Sequence, residues 1–359
     1  MDGGARLLVL SWLSLMAMPL SAYTPDMITP RMAPVEPLTA ADFVTPTARD
    51  YQPKGVVTPA EFMPASELQM TEYTFNLLGH PLVGTVEESA KIVVLVTSAS
   101  AKARVESQWQ QWGGLPQHLK AWVSTHNSIW YQDYGPIYAR GSDGHLVSND
   151  FTYNRSGRTQ DDAVPAHLAT LDGITNNPVG MNYEGGNFVS DGHGRCLASK
   201  KILTQNANLT RTQVEQLMAA NLGCAELLLF EPLQDDYTLH IDLFIKLVGV
   251  DTAFVGDFVD HPENNRIMDA NAQRLVDMGY HVQRLPVRSR GAKNYLTHIN
   301  TFTINGWALV PEYGVAEDQD AKAAYEAAGF KVILIPAQDL ENTGGAIHCI
   351  LRSKPTLQD

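Results

Sequence analysis

The 359-residue sequence is poor in cysteine, in basic residues and in long apolar runs. Its three cysteines are accompanied by no CxxC or HxxxH pattern, so the further ligands that a structural metal site needs are missing. Lys and Arg number 26 against 39 Asp and Glu, and the net charge of −13 argues against nucleic acid and anionic membranes as partners. No GxGxxG sequence opens a βα turn, which disfavours a dinucleotide-binding fold. No metal or organic cofactor is therefore expected.

The longest apolar run lies at the N-terminus. Leu7 to Leu20 follows Arg6 and precedes Ser21 and Ala22, which predicts a signal peptide over residues 1–22 and a secreted or periplasmic protein. Residues 23–67 are rich in Pro, Thr and Ala without apolar periodicity, which indicates an extended or disordered leader. The remaining residues, 68–359, are predicted to form one catalytic domain.

With an odd number of cysteines, the sequence leaves open whether Cys196 and Cys224 form a disulfide. If Cys196 and Cys224 pair, Cys349 is the leftover thiol, and an odd cysteine in an exported protein suggests a reactive group. Cys349 ends the stretch Gly344–Cys349, in which two glycines allow close approach of the backbone to a bound molecule. By itself this cysteine is a nucleophile, a metal ligand or a small buried apolar residue.

Apolar runs and glycines predict a mixed α/β fold. Lys91 to Thr97 is a buried strand, and Ser100 caps a helix over Ala101 to Trp112. A helix–Gly–strand–Pro pattern then occurs three times, with the glycines 56 and 50 residues apart. Its members are Asn208 to Asn221 with Gly223, Leu227 to Phe230 and Pro232; Arg266 to Asp277 with Gly279, His281 to Leu285 and Pro286; and Ala321 to Ala328 with Gly329, Lys331 to Ile335 and Pro336.

Strand candidates lie between these units, at Leu243 to Val250 and at Thr301 to Val310, the latter turning at Asn305-Gly306. A unit of about 50 residues that recurs in this way favours a repeated α/β fold closed around an axis. A doubly wound sheet is the alternative.

Three further stretches carry unusual residue combinations. Asp133 stands among aromatic residues in Trp130–Pro136, and His240 and Asp242 are spaced to share one face of an extended strand. The glycine-dense segment Tyr183–Phe188, followed by Asp191-Gly192-His193-Gly194, is interpreted as architecture and not as chemistry.

In this order the motifs resemble the agmatine deiminase and bacterial-type peptidylarginine deiminase family, over roughly Val93 to Pro355. The resemblance implies a fivefold pseudo-symmetric α/β propeller. It also implies that Cys349 is the nucleophile, His240 the acid and base, and Asp133 and Asp242 the carboxylates that hold a guanidinium. The substrate-binding residues implied by the resemblance are Arg155, Arg158, Trp130 and Asn300.

The sequence departs from agmatine deiminases in two places. Gln132 stands where they carry Arg, and Tyr153–Arg158 replaces their tryptophan-containing segment. The second segment resembles the loop of the secreted bacterial peptidylarginine deiminase, where two arginines bind the carboxylate of a C-terminal arginine. Arg155 fits this role by position, and Arg158 fits it with a one-residue insertion.

The interpretation is a secreted hydrolase that converts peptidyl-arginine, at a peptide C-terminus, to peptidyl-citrulline and ammonia. Its partners are then peptide or protein substrates, and neither nucleic acid nor, once the signal is cleaved, a membrane. Agmatine deiminase is the alternative within the class, although export and Arg155 argue against it. A non-catalytic binding protein on the same scaffold and a secreted cysteine protease are alternatives from other classes.

Overall fold

The computed structural model describes residues 55–291, 294–338, 340 and 345–356. The predicted signal peptide, residues 23–54 of the predicted leader and Gly344 lie outside the described residues. Within the described part of the chain, no helix has the length and apolar character needed to cross a bilayer.

The described strands form five small sheets that share one plan. In each sheet, one strand pairs antiparallel with a central strand, and the central strand pairs parallel with a strand further along the chain. This repetition confirms the predicted fivefold α/β propeller. The strands of the first two sheets in chain order are β1 (Ala65–Thr71), β2 (Lys91–Val96) and β3 (Leu119–Val123), then β4 (Ile137–Arg140), β5 (Leu146–Thr152) and β6 (Thr175–Asn182).

The other three sheets follow the same order along the chain. Their strands are β7 (Val189–Ser190), β8 (Arg195–Ser199) and β9 (Glu226–Phe230); β10 (Ile245–Leu247), β11 (Thr252–Phe258), β12 (His281–Ser289) and β13 (Tyr295–Thr297); and β14 (Phe302–Ile304), β15 (Trp307–Glu312) and β16 (Lys331–Pro336). The last strand, β17 (Leu351–Pro355), returns to the first sheet and pairs antiparallel with β1. The chain thus closes the propeller by joining its last described strand to its first.

Helices connect the parallel strands and pack on the sheets. They are α1 (Glu72–Leu82), α2 (Ala99–Gln111), α3 (Tyr131–Tyr134), α4 (Thr159–Asp162), α5 (Val164–Asp172), α6 (Lys201–Thr204), α7 (Arg211–Leu222), α8 (Pro262–Asp277) and α9 (Glu317–Ala327). The start of α7 is fixed by a capping box in which Thr210 and Gln213 exchange hydrogen bonds. Its end is fixed by Gly223, whose φ of 71° is easily adopted only without a Cβ.

The structure differs from the sequence prediction at several boundaries. The helix predicted at Ala101 is capped by Ser98 and starts at Ala99, because Ser98 is the residue whose hydroxyl accepts from Ala101 N. Strand β12 continues through Pro286 to Ser289, since β11 pairs with it as far as Val287 and β13 pairs with Val287 to Ser289. The predicted strand Leu243 to Val250 is shortened to β10, because a 3-10 turn occupies Ile241–Leu243.

The predicted boundary between leader and domain, after residue 67, also falls too late. It lies inside β1, which begins at Ala65. The extended residues before β1 already contact the domain: Val57 pairs with Arg140, and Thr58 N donates to Leu222 O at 3.1 Å. These contacts are made by the backbone and leave no apolar periodicity in the sequence of the segment. The sequence therefore did not predict them.

The pairing of Cys196 with Cys224, which the sequence left open, is present as a disulfide. Cys196 lies in β8 and Cys224 follows α7, and the bond links them within one sheet and its helix. Cys349 is the free cysteine and is buried.

Candidate active site

Cys349 is held on a short 3-10 turn, His348–Ile350, directly before β17. Asn300 supports this turn from the neighbouring segment. Its Oδ1 accepts hydrogen bonds from Ala346 N and His348 N, both at 3.1 Å, and its Nδ2 lies 3.3 Å from Cys349 Sγ. The same Nδ2 donates to Asp242 O at 3.3 Å, so the amide of Asn300 ties the cysteine to a carboxylate residue.

Three of the predicted residues converge on the backbone of Gly186. A Cβ on Gly186 would lie 2.6 Å from His240 Nδ1, 2.7 Å from Asp133 Oδ1 and 3.1 Å from Asp242 Oδ2. Asp242 Oδ2 is in turn 3.6 Å from Cys349 Sγ. The structure therefore brings together the nucleophile candidate, the histidine and both carboxylates, all of them buried.

The electrostatics of this cluster follow from its burial. Burial, together with Asp242 and Asp133, raises the pKa of the Cys349 thiol well above its usual range. Burial also raises the pKa of Asp133, and the charges of Glu184 and Asp242 add to this effect against the attraction of His240. Without a cation between the two carboxylates, Cys349 is thus a protonated thiol. A bound guanidinium would counter this by placing positive charge beside the sulfur.

Glu184 was interpreted as architecture, and the structure places it inside the site. Its Oε2 lies 2.7 Å from His240 Nε2 and also binds Lys201, while its Oε1 accepts from Arg155 Nε at 2.5 Å. Burial opposes ionisation, but Arg155 and Lys201 hold the pKa of Glu184 well below its usual range. An ionised Glu184 accepts a hydrogen bond from Nε2–H of His240, so Nδ1 is the ring nitrogen that faces the Gly186 side and can exchange a proton there. Lys201, the first residue of α6, was not singled out by the sequence analysis, because no motif marks it.

His348 was noted only as the neighbour of the cysteine. Its Nδ1 is 2.8 Å from Asp242 Oδ2 and its Nε2 is 2.6 Å from Glu61 Oε2. Burial opposes its charge, but these two carboxylates raise its pKa above the usual range. His348 thus connects the substrate-facing Asp242 to a residue of the segment that precedes β1.

The predicted substrate-binding residues occupy different positions. Trp130 is buried against the cysteine loop, because a Cβ on Gly345 would lie 2.7 Å from its ring. Asn300 is fully buried and uses its amide on protein groups, which fits support of the loop and not the direct substrate contact that was predicted.

The two loop arginines also differ from each other. Arg155 retains partial exposure, with 13% of its side chain accessible beside Glu184. Arg158 is buried and pairs with Asp161 at 3.5 Å, and Asp161 in turn accepts from the backbone of Asn127 and Ser128. The prediction that Arg158 binds a substrate carboxylate does not fit this position, because its charge is already used to anchor α4.

The arrangement suits a planar cation held beside a thiol. Two carboxylates match the paired N–H groups of a guanidinium, and a thiol and a histidine lie within reach of its carbon and nitrogens. In the described residues no group of three or more His, Cys, Asp or Glu side chains is arranged to hold a metal ion. Fold and site together define the class of guanidino-group-modifying α/β propellers.

Comparison with known proteins identifies the family. The model of the Porphyromonas-type peptidyl-arginine deiminase family matches residues 57–355, and the chain belongs to this family of deiminases, which hydrolyse guanidino groups. A similar curated protein is the agmatine deiminase of Medicago truncatula, 23% identical over 73% of this chain and 84% of the relative.

Solved structures show the same fold. The agmatine deiminase of Enterococcus faecalis has a TM-score of 0.74 at 18% identity, covering 87% of this chain and 99% of that one. A crystal structure of a Porphyromonas gingivalis protein that carries the name arginine deiminase has a TM-score of 0.72 at 22% identity. The match covers 84% of this chain and 98% of that one.

Proposed function

We propose that the protein is a guanidine iminohydrolase in which Cys349 forms a covalent intermediate with the substrate. The observation that supports this most directly is the convergence of His240, Asp133 and Asp242 on the face of Gly186, with Cys349 Sγ 3.6 Å from Asp242 Oδ2. This space is bounded by two carboxylates and a histidine nitrogen, and it has the polarity of a guanidinium site.

In the proposed reaction, the guanidinium binds between Asp133 and Asp242. His240 takes the proton of the Cys349 thiol at Nδ1, and the thiolate attacks the central carbon of the guanidinium and forms a C–S bond. A C–N bond then breaks to release ammonia, which takes that proton from His240. His240 then accepts a proton from water as the water attacks the thiouronium carbon. The C–S bond breaks, and the products are a ureido compound and free Cys349.

For the substrate we propose agmatine first. The curated relative from Medicago truncatula is named an agmatine deiminase. One of the two arginines that were predicted to bind a substrate carboxylate, Arg158, is buried against Asp161. The other, Arg155, already gives its Nε to Glu184. These three points weaken the case for a substrate that ends in a carboxylate.

A C-terminal peptidyl-arginine is the second candidate, which the partly exposed Arg155 favours. Its guanidinium carries further N–H donors besides Nε, and these suit a carboxylate. Export is a proposal that fits this candidate, and the apolar run Leu7 to Leu20 and the Cys196–Cys224 disulfide support it. Agmatine offers no carboxylate, so Arg155 separates the two candidates.

Ammonia release from agmatine, free arginine, a peptide ending in arginine and its C-terminal amide tests the proposal. For an agmatine deiminase, agmatine should be the best substrate, and Arg155→Ala should not lower kcat/KM on the free-acid peptide more than on the other compounds. For a peptidyl enzyme, Arg155→Ala should lower kcat/KM on the free-acid peptide by about 5- to 150-fold, the effect of one charge-assisted hydrogen bond. Amidation should then produce the same loss, and the two losses should not add. Absence of ammonia release from all four compounds would reject the proposed function.

A further inference from the structure

The segment that precedes β1 crosses the propeller on the side where His348 is buried. Its contacts fall on four of the five sheets or their connections: Val57 on Arg140, Thr58 on Leu222 and Ser190, and Glu61 on Lys246 and Thr303. Glu61 is the residue of this segment that reaches the site.

Glu61 is bound through both carboxylate oxygens. Its Oε1 accepts from Lys246 Nζ at 2.5 Å and from Thr303 N and Oγ1 at 2.7 and 2.8 Å. Its Oε2 faces His348 Nε2 at 2.6 Å. The three hydrogen bonds to Oε1 hold the Glu61 carboxylate in place, and they therefore fix Oε2 in one orientation toward the His348 imidazole.

The chain of contacts continues to the sulfur. The other ring nitrogen of His348 is 2.8 Å from Asp242 Oδ2, and that oxygen is 3.6 Å from Cys349 Sγ. A carboxylate on each side keeps the imidazole protonated, so that it donates to both. A charged His348 fixes the rotamer of Asp242 and offsets the negative charge that Asp242 places on the thiol.

We propose that Glu61 is a positioning residue for the reaction at Cys349, acting through His348 on Asp242. Through Glu61, the segment before β1 then contributes one residue to the support of the active site. This inference rests on the proposed role of Cys349, and one readout below is independent of turnover.

The matched pair of variants is Glu61→Gln and Thr58→Ala. Glutamine keeps the shape and an oxygen for Thr303 and Lys246, but its amide donates to His348 Nε2 and so favours the neutral imidazole. Thr58→Ala removes a side-chain hydrogen bond of the same segment, 2.9 Å to Leu222 O, without touching Glu61. Glu61→Asp is the conservative variant, since it restores the charge.

The measurements are kcat and KM, thermal stability, and the rate of Cys349 alkylation by iodoacetamide from pH 6 to 10. The groups around His348 that titrate or carry charge are Glu61, Asp242, Lys246 and Cys349, with the neutral Gln132 amide also in contact. We expect Glu61→Gln to lower kcat/KM by about tenfold to a hundredfold and to move the alkylation profile to higher pH. Glu61→Asp should recover part of the lost kcat/KM and reverse part of the shift in the alkylation profile. Thr58→Ala should leave kcat/KM and the alkylation profile near those of the wild type.

The proposal is overturned if Glu61→Gln alkylates and turns over like the wild type, or if Thr58→Ala loses activity to the same extent. Should Glu61→Gln fail to fold, His348→Gln replaces it, and an unchanged alkylation profile in that variant overturns the proposal. If the wild type releases ammonia from no guanidine, the proposed function fails, while the alkylation profiles still decide the role of Glu61.

Discussion

Gly186 allows the ring of His240 to lie close against its backbone, at the place where a guanidinium is proposed to bind. A Cβ at this position would lie 2.6 Å from His240 Nδ1 and 2.7 Å from Asp133 Oδ1, closer than real Cβ contacts. The glycine is buried and belongs to the 3-10 turn Gly185–Asn187. It is thus required for the shape of the site and not for an unusual backbone angle.

Gly186→Ala should therefore abolish turnover and lower the free energy of unfolding by about 1–3 kcal/mol, because the methyl group displaces His240 and Asp133 from their buried positions. Gly180→Ala is the matched control, since nothing lies within 4 Å of a Cβ at that position. Ammonia release and thermal unfolding of both variants check the prediction. Activity of Gly186→Ala within a few-fold of the control would show that the substrate binds elsewhere.

Cys349→Ser should abolish turnover and leave the fold intact, because a hydroxyl is a far poorer nucleophile at neutral pH. The substitution is small and keeps a group that Asn300 Nδ2 can contact. Circular dichroism and ammonia release on the purified variant measure the two effects. More than a small residual activity would remove Cys349 from the nucleophile role.

Substrate affinity should depend on both carboxylates. In a Cys349→Ser background, Asp133→Asn and Asp242→Asn should each weaken substrate binding by about tenfold or more, since each loses a charge-assisted hydrogen bond to the guanidinium. Calorimetry measures the binding directly, with Asp143→Asn in the exposed loop after β4 as a control of equal charge change. Unchanged affinity in both site variants would reject the carboxylate pair as the guanidinium site.

The Cys349 thiol should lose its proton only at raised pH in the substrate-free enzyme. Burial, with Asp242 and Asp133, raises the pKa of Cys349, so the thiol is protonated at pH 7 and its thiolate appears only at higher pH than for an ordinary cysteine. Asp133→Asn removes one negative charge and should speed alkylation by iodoacetamide at pH 8 to 9 while reducing turnover. Asp143→Asn should change neither. Slower alkylation in Asp133→Asn would contradict this assignment of the charge effect.

Loss of the disulfide should reduce stability without removing the chemistry. The bond closes a loop with a sequence separation of 28 residues, for which chain entropy predicts about 3–4 kcal/mol. Cys196→Ala with Cys224→Ala should lower the free energy of unfolding by that order in urea, and the folded variant should keep its activity at 25 °C. Equal stability of the wild type with and without reductant would contradict the prediction.

The repeated fold was predictable because glycine marks the helix ends. Gly223, Gly279 and Gly329 all have positive φ, and each stands between a helix and a parallel strand as predicted. The structure also brings together Cys349, His240, Asp133 and Asp242, which the resemblance to the deiminase family had assigned to one site.

The residues missed by the sequence analysis act over long sequence separations. Glu184 reaches His240 from the residue before the 3-10 turn Gly185–Asn187, and Lys201 reaches it from α6. Glu61 reaches His348 across 287 positions from a segment without periodicity. Arg155 and Arg158 are three positions apart and were predicted to act together, yet the start of α4 places Arg158 against Asp161. Only tertiary packing separates their environments.

The pairing of β17 with β1 has a consequence for the order in which the protein becomes active. Cys349 lies two residues before β17, and that strand takes its place beside β1 in the first sheet. During synthesis, the other site residues leave the ribosome long before Cys349 does. Until then the site lacks the thiol that is proposed as its nucleophile. A nascent chain therefore has no deiminase chemistry until its last described strand emerges and pairs with its first.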